Sequence, residues 1–343
     1  MKPSLLALAC LSLCQCFTPA QASNELSVSV LAQSEARQAS HGNPLGLGDS
    51  QRHLQQADLR WQLDGPWQQA LHGNFSAQHD QTGSSMLQVN ELTLESPLAG
   101  GFLTAGKKIM SWDVGYAFRP LDVVQQEDRR ALNPARLEGI PMLAQEVFDE
   151  DHALTMVLTN PGRGKAAQPR DDEALALRLY RHRGERDEYA VLRVSQRNGM
   201  EAGASFSHVL NQGTELHASL LWQQRHEEWR QQRWMAAGRG GKALAGFTWT
   251  TEQQFSLIAE AWLDRSVAPA QQRNLFVRAA QNWDNVDLAA DLLWQPSSDS
   301  KIATVSASYK QGAWLFSASL RQYQGMAGIL THRLAIASIQ RSF

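Results

Sequence analysis

Cysteine is almost absent from this 343-residue chain: the three present, Cys10, Cys14 and Cys16, all lie ahead of Phe17. A chain that loses its leader therefore has no disulfides to staple it and no thiolate metal site, and histidines do not cluster either. No cofactor and no metal centre are expected. A surplus of one charge is lacking too. The 32 Lys and Arg nearly balance 34 Asp and Glu, for a net of −2, without the basic excess that marks nucleic-acid binding. Long hydrophobic runs are also missing. Leu5 to Leu13 is about nine residues, half of the roughly 18 that a spanning helix needs. If this chain enters a membrane it must do so as a closed barrel, because lipid tolerates no unpaired backbone.

What is present at the start is the three-part layout of a secretory leader. Lys2 supplies the positive end, Leu5 to Leu13 the apolar stretch, and Ala20-Gln21-Ala22 the small residues of a cleavage point. The expected division is a leader over 1–22 and a single domain over 23–343. Lipid attachment at Cys14 or Cys16 is the rival. It calls for a small residue directly before the cysteine, where Leu13 and Gln15 stand.

The rest of the chain alternates. From Thr214 to Gln224, Leu216, Ala218, Leu220 and Trp222 oppose His217, Ser219 and Gln223. From Val286 to Trp294, Leu288, Ala290, Leu292 and Trp294 oppose Asp287 and Asp291. From Gln254 to Asp264 the pattern is less clean, because Ile258 and Trp262 join the polar side with Glu260. A period of two over about ten residues is the transmembrane-strand signature, whereas soluble sandwich strands run to about five or six. Eighteen such segments are expected, beginning at 25–33 and 56–64 and ending at 332–343. Sixteen is the alternative, since 25–33 and 139–148 are the weakest. Short turns such as Asp149 to Asp151, Gln212-Gly213 and Gln311-Gly312 fall on one side with both termini. Long connections, 34–55, 111–138, 160–172, 225–241, 265–272 and 324–331, fall on the other. That asymmetry suits an all-β, antiparallel, up-and-down barrel in an outer membrane.

Tyrosine is scarce, with five against 11 Trp. Trp222, Trp249, Trp262, Trp283, Trp294 and Trp314 mostly sit near segment ends, as interfacial girdles require. The chain closes on Phe343, like the assembly signal of outer-membrane barrels, although Arg341 interrupts the apolar side.

The most distinctive stretch runs from Gly106, Lys107 and Lys108 through Trp112, Asp113, Gly115 and Tyr116 to Pro120 and Asp122, followed by Glu138-Gly139-Ile140-Pro141. These forty or so residues resemble a segment of outer-membrane porin-like proteins of the alginate-export type, in which Gly rather than Asp often follows the Trp. The resemblance implies a barrel embedded in outer-membrane lipid, delivered by the barrel-assembly machinery and passing small solutes.

The same stretch forms the third outer loop, Ser111 to Glu138, with aromatic anchors Trp112, Tyr116 and Phe118 and a dense charge set that includes Asp113, Arg119, Asp122, Arg129 and Glu138. Two readings stand open: a loop folded into the lumen, or a solvated surface loop. With apolar sides toward lipid, Arg178, Tyr180, Arg193, Arg197, His217 and Arg225 turn inward as a basic arc. Glu260, Asp264, Asp287 and Asp291 form an acidic one. These arcs either set a transverse field across water or pair with each other. The expected function is a porin-like channel for small hydrophilic or charged solutes. A barrel serving export or assembly of a polymer is the alternative. A lipid-facing hydrolase built on His217 and Ser219 ranks third, since no orienting third residue is identifiable. Gly-rich 161–165 lacks phosphate-loop spacing, and Asp171 and Asp172 are only adjacent loop acids.

Overall fold

The computed structural model describes residues 25–65, 68–125, 137–163, 172–230 and 233–343; the expected leader and Arg129 lie outside them. The first strands are β1 (Glu25–Ala39), β2 (Ser50–Asp64), β3 (Ala70–Asp80), β4 (Ser85–Leu98), β5 (Gly101–Lys108) and β6 (Ile140–Phe148). Next come β7 (His152–Thr159), β8 (Ala174–Arg183), β9 (Arg186–Ser195), β10 (Gly199–Asn211) and β11 (Thr214–Gln223). A short hairpin, β12 (Glu227–Arg230) and β13 (Arg233–Ala236), stands apart from the main sheet. The wall resumes with β14 (Gly240–Thr250), β15 (Phe255–Asp264), β16 (Arg273–Trp283) and β17 (Val286–Gln295). It ends with β18 (Ser300–Gln311), β19 (Trp314–Gln324) and β20 (Thr331–Ser342).

Eighteen of these strands form one antiparallel sheet in chain order, and β20 pairs back onto β1 to close it. Closure leaves no edge with unpaired backbone groups, the condition for standing in lipid. The sixteen-strand alternative is set aside, because both weak segments are full members of the wall. In β11 the two faces separate as the alternation requires: His217, Ser219, Leu221 and Gln223 are buried and inward, while Leu216, Leu220 and Trp222 are exposed and outward.

The first two strands are longer than their alternation suggests, which shortens the expected loop 34–55 to 40–49. Their outer ends carry exposed Ser34, Gln51, His53 and Gln55 on the outward face, yet the ladder continues through Ser34 opposite His53 and Ala36 opposite Gln51. Backbone pairing persists there without an apolar stripe, so hydrophobic periodicity stops before the strand does. At the other rim, Arg341 is no fault in the closing strand. Its guanidinium lies over Trp314 at 5.1 Å and Phe343 at 4.6 Å, a cation–π arrangement in which the charge belongs to the aromatic girdle.

Candidate functional site

The site is where the loop between β5 and β6 meets the inner wall. Gly106 starts the loop's approach. Its φ is +135°, and a Cβ there would stand 2.2 Å from the Leu92 carbonyl oxygen, so only glycine fits ahead of Lys107 and Lys108. Lys108 binds Glu95 at 2.7 Å, and Lys107 binds Glu138, joining the two ends of the loop. Gln125 adds a second tie, donating to the Glu138 carbonyl at 2.9 Å and accepting from the Met110 backbone at 3.1 Å.

Inside the loop, Asp122 acts as a hub. One oxygen accepts the backbone N–H of Trp112 at 2.6 Å and of Asp113 at 3.1 Å, and Ser111 donates its hydroxyl to the same carboxylate. Asp113 in turn accepts from the backbone of Leu121 at 2.7 Å. Burial pushes both carboxyls above their ordinary range, opposed by these hydrogen bonds and by Arg119 nearby. Arg119 itself donates to the Gly115 carbonyl at 2.8 Å and to Ser111. Asp122 therefore shapes the loop from within instead of reaching the wall.

Three contacts seat this shaped loop on the lumen wall. Ser219 of β11 donates its hydroxyl to Asp113 at 2.5 Å. Glu260 of β15 accepts the backbone N–H of Tyr116 at 2.5 Å and of Ala117 at 2.8 Å, with His217 at 3.0 Å. Around these polar pins, Trp112, Leu121 and Val124 pack on Met142, Val157, Ala176, Val191 and Leu221. Phe118 stacks on Trp262 at 5.4 Å, and Tyr116 stacks on Phe276 at 5.9 Å with the Arg278 guanidinium 5.7 Å from the Tyr116 ring centroid. Where the loop sits, the inner wall is apolar too, which is why Trp262 breaks the alternation of β15.

The remaining expected lumen residues fall into different settings. Arg193 is buried and paired with equally buried Glu201, which also accepts from Gln223 at 2.7 Å. Arg278 pairs with Asp291 at 3.3 Å, and Asp287 accepts from Ser308 at 3.0 Å and from Asn282. Arg178 lies over Tyr189 at 4.8 Å, while Tyr180 donates its hydroxyl to Asp187 at 2.8 Å. Asp264 holds the loop after β15, accepting from the Ser266 backbone at 2.8 Å. Arg225 and Arg197 belong to the outer rim: Arg225 donates to the carbonyls of Gln196 and Arg197, and the Arg197 backbone donates to Asp172 at 2.9 Å. Two opposed, unpaired arcs are therefore replaced by short-range pairs and anchors. His217 and Ser219 face the lumen and clamp the loop, so they offer lipid no nucleophile. Asp171 and residues 164–165 lie outside the described residues, and among the described residues no cluster of metal-binding side chains occurs.

Glu201, Leu244 and Phe276 are the seats that sequence reading passed over. Glu201 looked like an ordinary charge, and inward apolar residues carry no signal apart from spoiled alternation. The wall beside the loop's seat is different in kind. Ser256, Ser306, Ser308, Ser317 and Ser319 line a cavity of about 480 Å³ on β15 to β19, and Ser317 and Ser338 share a 2.6 Å hydrogen bond.

With this geometry the chain is similar in fold to outer-membrane porins. Acinetobacter baumannii OccAB3 superposes with a TM-score of 0.64 at 10% identity, over 94% of this chain and 99% of that one. Pseudomonas aeruginosa OccK11 (OpdR) gives 0.63 at 8% identity, over 93% and 96%. A mutant of the Rh. blastica porin gives 0.54 at 9% identity, over 93% and 100%. No protein-family model and no curated protein matches the chain.

Proposed function

We propose that this protein is an outer-membrane porin-like channel through which small hydrophilic or charged solutes pass passively, with the loop after β5 setting the bore. One observation carries the reading: the loop is fixed to one stretch of wall by Glu260 and Ser219 and covers its apolar patch, while the serine-rich wall that continues from β15 to β19 beside it lines a polar cavity. A lumen built to be filled would have no use for a polar wall of small side chains. Delivery would follow removal of residues 1–22 and insertion by the barrel-assembly machinery. The porins of like fold support a channel over an enzyme. The likeness of 106–141 to alginate-export relatives supports the barrel and selects no solute.

Single-channel recording of refolded protein in planar bilayers tests this. Steady, ohmic conductance that small neutral sugars reduce by competing for the bore is the expected result. A folded, heat-modifiable barrel with no conductance would overturn it and leave the assembly or export role.

A further inference from the structure

The outward face of β7 to β11 is not a smooth apolar wall. Ala190 and Ala204 stand opposite each other in register, with Ala218 one strand further on, and form a low floor. Leu154 and Leu179 rise on one side of it, Phe206 and Leu220 on the other, and Leu179 and Leu220 are more than half exposed. Together they line a groove of about 940 Å³. Lipid is the solvent of this face, and a groove narrower than its surroundings orders whatever chain enters it.

The end of the groove is not apolar. β7 to β10 meet the short turns at 149–151 and 184–185 there, on the same side as both chain termini. Arg181, Arg186, Glu188 and Asp149 all border the groove at that lip. Arg186 is held in place, with its guanidinium over Phe206 at 4.8 Å and its Nε on Glu188 at 3.2 Å. Asp149 is fixed by the backbone N–H groups of Asp151 and His152, and Glu150 lies beside it. Cations and carboxylates therefore alternate within one headgroup's reach, just beyond an apolar slot.

We propose that this groove binds one phospholipid of the periplasmic leaflet: acyl chains on the alanine floor, phosphate on Arg181 and Arg186, and a headgroup ammonium against Asp149 and Glu188. That pairing fits a zwitterionic amino-phospholipid. A purely anionic headgroup would find the same two arginines but would offer no ammonium to the acids of the turn, one of which, Asp149, already meets His152 at 3.1 Å. The site rests on the short turns facing the periplasm, as the channel reading has it, and it is separable from conduction because the side chains that form its floor and walls, Leu154, Leu179, Ala190, Ala204, Phe206 and Leu220, stand on the outward face of the wall.

Native mass spectrometry of the mature, refolded chain tests it, using phosphatidylethanolamine and phosphatidylglycerol with identical acyl chains. One phosphatidylethanolamine should stay bound per barrel, about tenfold more often than phosphatidylglycerol. Replacing both arginines (R181Q with R186Q) should lower retention about tenfold, the loss expected for a charge-assisted hydrogen bond. Ala204→Trp should abolish it while leaving conductance unchanged. If that variant fails to assemble, Leu179→Ala with Leu220→Ala removes the walls instead of filling the floor, and must also lose the lipid. Equal or greater retention of phosphatidylglycerol would overturn the headgroup assignment. Undiminished lipid in the groove variants would overturn the site, as would a second barrel bound there in place of lipid. Loss of conductance in the parent, with lipid binding intact, would count against the channel alone.

Discussion

Glu260 holds the backbone N–H of Tyr116 at 2.5 Å, although 144 positions separate them in the chain. The other oxygen takes the next N–H, of Ala117, so one side chain on β15 receives two successive backbone donors of the loop. Glu260→Ala would strand both donors, each costing about 1–3 kcal/mol if left unpaired, and would release His217. The barrel should still fold and show its heat-modifiable band, while conductance rises and becomes noisier. Conductance equal to that of the parent would mean that the loop does not limit flow.

Asp122 offers a cleaner contrast within the loop. Asn at this position keeps one oxygen for the N–H groups of Trp112 and Asp113, whereas Ala leaves them unpaired. D122N should conduct like the parent, and D122A should behave like E260A. Equal behaviour of the two variants would remove Asp122 from the loop's hub.

Acidity should not open the loop through these groups. Burial raises the carboxyls of Asp113 and Asp122 in the docked state. A free loop would titrate near the ordinary 3.8, so docking binds protons. Docking therefore strengthens as pH falls from above the raised values toward the ordinary one, and weakens as pH rises through the raised values. Arg119, Ser219 and the His217–Glu260 pair also face this region. The control is thus D113N with D122N, in which this component of the pH dependence disappears. Conductance climbing between neutrality and about pH 5 in the parent, but not in that control, would reverse the sign.

Arg193 and Arg178 should part company under the same substitution. Arg193→Glu would set a carboxylate against buried Glu201, and breaking such a pair costs about 3–5 kcal/mol. A clearly lower thermal midpoint is expected. Arg178→Glu leaves no buried partner carboxylate behind, so the barrel should fold and its reversal potential should move toward cations. An unshifted potential would place Arg178 outside the conducting path.

Gly115 is the tightest point of the loop. A Cβ there would meet the Phe118 carbonyl oxygen at 1.9 Å and Leu244 at 2.5 Å. Gly115→Ala should undock the loop without touching a strand, giving the larger conductance of E260A and a normal unfolding midpoint. A conductance like that of the parent would show that the loop can shift and still narrow the bore.

The wall was readable because lipid imposes a rule on every second residue: Leu216, Leu220 and Trp222 could only face outward. The full length of the first two strands was not readable, since Ser34, Gln51, His53 and Gln55 extend the ladder between β1 and β2 without an apolar stripe. The loop's aromatic residues stand out in the sequence, yet their seats do not. Trp262 and Phe276 break an alternation without saying what they touch. The lumen charges could be read either as a field or as pairs, because Arg193 and Glu201 meet only once β9 and β10 are in register. A sequence displays which side chains share a face, and says little about which of them meet.

The loop that leaves the wall after β5 is pinned by β11 and β15 and packs on side chains of β16. The loop's seat is therefore made by strands far along the wall from the one it leaves, and the narrowed aperture doubles as a sign that those strands stand in register. Slippage by one residue in β15 would turn Glu260 outward and leave the passage agape.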